Sequence, residues 1–180
     1  MNATEIKFGG FGGQGVILAG IIIGRAASIY DRKYATLTQS FGPEARGSAC
    51  SAQVIVSDQK VLYPYVTKPE ILLVMSQEAC NKFLPETTDT ATLIIEEDLG
   101  KPTNAKPGMK IYGIPATRLA EELGRKMILN IVMVGFFTSV TKLVGHEAVR
   151  EAVKVSVPLG TEAMNLEAFE RGYQYGLQLA

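Results

Sequence analysis

The chain has 180 residues, 47% hydrophobic and 20% charged, a globular composition long enough to bury a sizeable core. Its 18 basic and 18 acidic side chains cancel, which removes the basic excess expected of a nucleic-acid binder and leaves little repulsion between copies. Two cysteines outside any C-x-x-C pair and one histidine exclude a self-contained iron–sulfur centre and a histidine-pair metal site.

Ile6 to Phe8 reads as a short apolar strand. It runs into a glycine cluster and then a long apolar stretch, Gln14 to Tyr30, that reads as a helix. Gly10-Phe11-Gly12-Gly13-Gln14-Gly15 fits G-x-G-x-x-G between strand and helix, the context that motif requires. Glycine allows backbone conformations other residues avoid, and lets the chain approach whatever sits at the helix start. A dinucleotide fingerprint also needs an acidic residue at the end of the second strand. That strand, Tyr34 to Thr38, is followed by Gln39 and Ser40, and Asp31 and Glu44 lie on either side of the required place. NAD or FAD is therefore disfavoured. A close-packing turn, another phosphate-bearing group and a partner protein remain as readings.

After Tyr34 to Gln39 comes a loop, Ser40 to Ser48, punctuated by Gly42, Pro43 and Gly47. Ala49 to Ser57 alternates as a strand, and Val61 to Tyr63 reads as a short extended piece. Ile71 to Met75 and Thr92 to Glu96 are continuous apolar runs, typical of parallel strands covered on both faces. Ser76 is placed to cap a helix after the first of them. Lys110 to Gly113 is a further strand, and Pro115 suits the first position of a helix through Leu123. Met127 to Leu143 is apolar all round, which fits a place against the sheet or in a subunit contact. Gly145 to Val155 and Thr161 to Leu179 complete the chain, the latter with a stripe of Met164, Leu166, Phe169, Tyr173 and Leu177. The apolar Met127–Leu143 and Thr161–Leu179 helices offer surface for partners. Strands alternating with helices predict an α/β fold with a mainly parallel sheet and a β-rich insertion around residues 34–63, in one domain spanning 1–180. Met1 to Glu5 leads straight into a strand, so no signal peptide is expected. Ile128 to Val140 falls short of the ~20 residues of a membrane span, and the expectation is a soluble, cytoplasmic chain.

Candidate chemistry is thin. His146 stands at a helix start, where a solvated or capping role suffices. Glu96-Glu97-Asp98 reads as a solvated strand end, and Cys50 and Cys80 as small buried thiols. The loop around Glu44 and Arg46 is richer than a connection needs. An arginine there can grip a phosphate or carboxylate with two parallel bonds, or simply join a salt-bridged surface turn. In an open α/β sheet, ligands collect beyond the carboxyl ends of the strands, so the glycine turn and this loop can share one site.

Together, G-F-G-G-Q-G-V-x-x-A-G (Gly10 to Gly20), Q-S-F-G-P-E-A-R-G (Gln39 to Gly47), Tyr63-Pro64 and N-x-x-A-F-x-x-G (Asn165 to Gly172) resemble the gamma subunit of the 2-oxoacid:ferredoxin (acceptor) oxidoreductases. The resemblance spans nearly the whole chain and departs at Ser48, where a second glycine is expected. It implies a Rossmann-like fold and an accessory subunit of a hetero-oligomer that decarboxylates a 2-oxoacid, 2-oxoglutarate favoured over pyruvate, to its acyl-coenzyme A. Thiamine diphosphate and the iron–sulfur clusters would belong to alpha, beta and an optional ferredoxin-like delta subunit, with ferredoxin as acceptor. This chain would bind no cofactor firmly alone. Gly10, Gly12, Gly13, Gln14, Gly15, Gly42, Glu44 and Arg46 would face coenzyme A or a partner; no catalytic residue and no metal ligand is assigned. The alternatives are a pyruvate or branched-chain version, or a stand-alone nucleotide-binding module.

Overall fold

The computed structural model describes residues 3–41 and 49–179. In chain order these form β1 (Ala3–Phe11), α1 (Val16–Arg25), β2 (Tyr34–Ser40), β3 (Ala49–Ser57), β4 (Ile71–Val74), α2 (Gln77–Phe83), β5 (Thr92–Glu96), β6 (Lys110–Ile114), α3 (Ala116–Glu122), α4 (Leu129–Thr141), α5 (His146–Ser156) and α6 (Glu162–Leu177). One six-stranded sheet has the order β2-β3-β1-β4-β5-β6. β1, β4, β5 and β6 are parallel, and β3 runs antiparallel to both β1 and β2. The β-rich stretch is thus an antiparallel extension of the same sheet.

Alternation sends neighbouring side chains to opposite faces. Ile6, Phe8, Val54, Val56, Leu73 and Ile94 join the larger core with α1 and α3 to α6, while Leu72, Val74, Leu93 and Ile95 meet α2 in a smaller one. On that second face Lys7 is buried, paired with Glu86, with its ammonium 4.5 Å from the centre of the Phe83 ring.

Several boundaries differ from the sequence reading. α1 starts at Val16, not Gln14, because Gly13 (φ 93°) and Gly15 (φ 75°) are left-handed. Its last turn, Ala26–Tyr30, is a π-helix. Val61 to Tyr63 is not a strand. Pro115 precedes α3 rather than opening it, with ψ 62° outside the helical range. Ser76 caps α2 as expected, its hydroxyl accepting from the Ala79 N–H at 3.1 Å.

The apolar helix α4 is used up inside the chain. Residues Leu129 to Ser139 are all buried, with the Phe137 ring 5.6 Å from that of Phe8 on β1. Its outer side is covered by α6, so it does not offer the partner surface expected from its apolarity. On α6 the stripe faces the core except at its end: Phe169 is buried, Met164, Leu166 and Tyr173 pack against the core, and Leu177 is 42% exposed. The buried face also takes in Asn165, Ala168, Gly172 and Gly176, which hydropathy does not mark. The reason for the glycines is close approach. A Cβ on Gly172 would lie 1.9 Å from the Val132 carbonyl oxygen, and one on Gly135 would lie 2.0 Å from that of Phe169. The small residues of the closing motif are the seam between two helices.

Candidate functional site

α1 leaves the end of β1 toward the larger core, and α2 leaves the end of β4 toward the smaller one. Adjacent parallel strands whose helices diverge in this way leave a crevice beyond their carboxyl ends, the usual ligand position in open α/β sheets. The glycine turn forms one wall. Gly12 and Gly13 are exposed, and the missing Cβ of Gly13 faces open space. Gly15 has no such freedom: a Cβ there would meet the Asn130 amide nitrogen at 2.3 Å, and that amide donates to the Gly15 carbonyl at 3.3 Å. The Gln14 side chain turns back over the strands. Its Oε1 accepts from the Phe11 N–H at 2.7 Å, and its Nε2 donates to the Met75 carbonyl at 2.9 Å.

A cavity of about 440 Å³ opens between Phe11, Gly13, Gln14, Met75, Gln77 and Met127, with Lys126 at its rim. A second, of about 280 Å³, lies on the far side of the turn against Gly15, Arg125, Asn130, Thr161 and Asn165. Met127, 74% exposed, lines both. Sequence reasoning found the turn and missed Met75, Ser76, Arg125, Lys126 and Met127. The end of the apolar run Ile71–Met75 was the available signal for the first two.

Gly42, Glu44 and Arg46 lie outside the described residues. The roots of their loop do not. Ser40 pairs with Ser51, and Ala49 pairs with Phe11, the last residue before the glycine turn. The loop therefore leaves and rejoins the sheet at the same end as the crevice.

The other candidates resolve as structure. Cys50 lies in the larger core and Cys80 in the smaller, and burial raises both thiols above their ordinary range. Among the described residues no group of three His, Cys, Asp or Glu side chains could hold a metal ion. His146 is not merely solvated at its helix start: its ring sits 4.3 Å from that of Tyr173, and its Nε2 lies 3.1 Å from Glu170 on α6. The acidic triplet is not uniformly solvated either. Glu97 and Asp98 pair with Arg118, but Glu96 is fully buried, with one oxygen accepting from the Thr117 N–H at 3.2 Å and the other unpartnered.

These carboxylates give opposite pH dependences. Burial raises Glu96 above the ordinary glutamate range, so its contribution to stability is present below that range and lost as pH rises through the raised value. Burial also pushes Glu170 up, but hydrogen bonds from Arg150 and His146 outweigh it and hold the group below its ordinary range. Its contribution is present above that range and lost as pH falls through the lowered value. In urea unfolding, Glu96→Gln is expected to stabilise the chain at neutral pH and to lose that advantage in acid. Glu170→Gln is expected to destabilise it at neutral pH and to matter less in acid. Parallel pH profiles for the two variants would contradict this.

A family model described as pyruvate ferredoxin/flavodoxin oxidoreductase matches residues 5–175. The chain belongs to that family. Within the family it is a gamma-type subunit. Its fold is similar to the gamma subunit of a keto/oxoacid ferredoxin oxidoreductase from Geobacter sulfurreducens, with a TM-score of 0.87 and 37% identity over 99% of this chain and 98% of that one. It is 45% identical to the 2-oxoglutarate synthase subunit KorC of Methanocaldococcus jannaschii, over 97% of this chain and 95% of the relative. It is 34% identical to the pyruvate synthase subunit PorC of the same organism, over 83% of each. Each of the family motifs read from the sequence falls on described backbone except residues 42–47 of the Gln39–Gly47 stretch. Among the described residues no helix is long and apolar enough to cross a membrane.

Proposed function

We propose that this gamma subunit serves a cytoplasmic complex that decarboxylates 2-oxoglutarate oxidatively, forms its acyl-coenzyme A and delivers electrons to ferredoxin. The observation that carries the substrate is the 45% identity to a 2-oxoglutarate synthase subunit along nearly the full length of both chains, against 34% to the pyruvate counterpart. Residues 1–180 act as one gamma-type domain. Thiamine diphosphate and the iron–sulfur clusters reside on alpha, beta and ferredoxin-like delta subunits. The two thiols of this chain, in separate cores on opposite faces of the sheet, are unsuited to share a cluster.

Coenzyme A is different, because the crevice residues fit it. A phosphate-bearing ligand needs cations and accessible backbone, and its linear arm needs an apolar channel. Lys126 and Arg125 stand at the rims, Gly13 is bare, and the 440 Å³ cavity is lined largely by Phe11, Met75, Met127, Leu99 and Leu129. Arg46, on the loop rooted beside Phe11, is assigned to an anionic group of the same ligand. The role of this chain is to bind and orient that ligand and to exclude water at the glycine turn.

Co-purification from native cells is expected to recover a thiamine-diphosphate-binding subunit and a ferredoxin-like chain, in a complex that turns over 2-oxoglutarate faster than pyruvate. Recovery of the chain alone, or a preference for pyruvate, would overturn the corresponding part. In that complex Arg46→Ala is expected to weaken coenzyme A about tenfold, the loss of ~1.4 kcal/mol of binding. Unchanged affinity and turnover would remove Arg46 from the site.

A further inference from the structure

Parallel strands exchange hydrogen bonds in an evenly spaced, slanted series. Between β1 and β4 that series runs as far as Met75, whose N–H donates to the Gly9 carbonyl at 2.9 Å. In an uninterrupted series the next rung has the Phe11 N–H donate to the Met75 carbonyl. Neither group makes that bond. The Phe11 N–H donates to Oε1 of Gln14 at 2.7 Å, and Nε2 of Gln14 donates to the Met75 carbonyl at 2.9 Å. A carboxamide carries the donor and acceptor of a peptide unit. The Gln14 side chain therefore stands in the ladder as an inserted rung.

We infer that Gln14 is a wedge: it parts the carboxyl ends of β1 and β4 and holds open the crevice of about 440 Å³ where α1 and α2 diverge. It is a positioning residue that acts on a ligand through the width of the crevice. The surrounding sequence is built for it. The Gln14 N–H donates to the Phe11 carbonyl at 3.1 Å, closing the turn that brings the side chain back over its own strand. A Cβ on Gly10 would lie 2.7 Å from Gln14 Oε1, so the glycine before Phe11 leaves room for the carboxamide. This gives the first glycine of the motif a task directed at a side chain of the same turn.

The test is Gln14→Ala in the full chain, labelled for nuclear magnetic resonance. Coupling across the hydrogen bond reports which carbonyl accepts from the Phe11 amide. In the parent the expected acceptor is the Gln14 side chain. In Gln14→Ala it is the Met75 carbonyl, with the strands drawn together and the crevice narrowed. A Phe11 amide without a protein acceptor, in a crevice of unchanged width, would overturn the wedge. So would a parent chain in which that amide does not couple to Gln14. Gln14→Asn, one methylene too short to reach both groups, gives the same readout if the alanine variant fails to fold.

The link from crevice width to function rests on the coenzyme A reading above, and the outcomes separate the two. In the assembled complex Gln14→Ala is expected to raise KM for coenzyme A several-fold and to move kcat less. A closed rung with unchanged KM removes coenzyme A from the crevice and leaves the wedge intact. An open rung with a raised KM removes the wedge and leaves coenzyme A.

Discussion

Replacing Gly172 with alanine is expected to cost about 3 kcal/mol of stability, read as a fall in the urea midpoint. In an exposed helix the same change normally gains ~0.5–1 kcal/mol, because alanine is the better helix former. Here the added methyl would meet backbone, 1.9 Å from the Val132 oxygen and 3.0 Å from the Phe136 nitrogen. No side-chain rotation relieves that contact. α4 and α6 must move apart, and Gly135, fitted against the Phe169 carbonyl, would lose its own seating. Gly24 is the control. A Cβ there would find only Val54 at 3.9 Å, so Gly24→Ala should be neutral or stabilising. A gain in stability for Gly172→Ala would mean that the two helices do not touch through their glycines.

Phe137→Ala carries the other large effect, a loss of about 3–5 kcal/mol. Phe137 and Phe8 are both fully buried, with ring centres 5.6 Å apart, and the pair joins the middle of α4 to the strand that ends in the glycine turn. Truncation leaves a void between helix and sheet that neither rigid element can fill. Phe137→Leu keeps most of the volume and is expected to cost no more than about 1.5 kcal/mol. Guanidinium unfolding of both variants measures the difference. Equal costs would show that this region collapses freely around the missing atoms.

The parallel strands were legible because their chemistry is local: Ile71–Val74 and Thr92–Glu96 are apolar runs of strand length, and both are strands. The Ser76 cap and the glycine turn were legible for the same reason. Glu96 was not, because nothing in three consecutive carboxylates distinguishes the one that points inward beneath α3 from the two that reach Arg118. On α6 the stripe was legible through Met164, Leu166, Phe169 and Tyr173, but Gly172 and Gly176 were not, because hydropathy ranks side chains, whereas a close helix crossing is chosen by their absence. Within the site, the turn announced itself by composition. Its opposite wall comes from the ends of β4 and the segment before α4, and only the sheet order places these beside Gly13.

The enclosure of α4 also has a consequence for synthesis. β1 is made first, but the ring that covers Phe8 comes from Phe137, and the helix carrying that ring is covered in turn by α6, which ends at Leu177. α1 is made early and covers part of the larger face, but every strand of the sheet is delivered before α4, α5 and α6, which complete its cover. Until the final turns of α6 clear the exit tunnel, the apolar surface of β1, β3, β4 and β5 has no complete cover. The larger face of the sheet is thus only partly covered until α6 is in place.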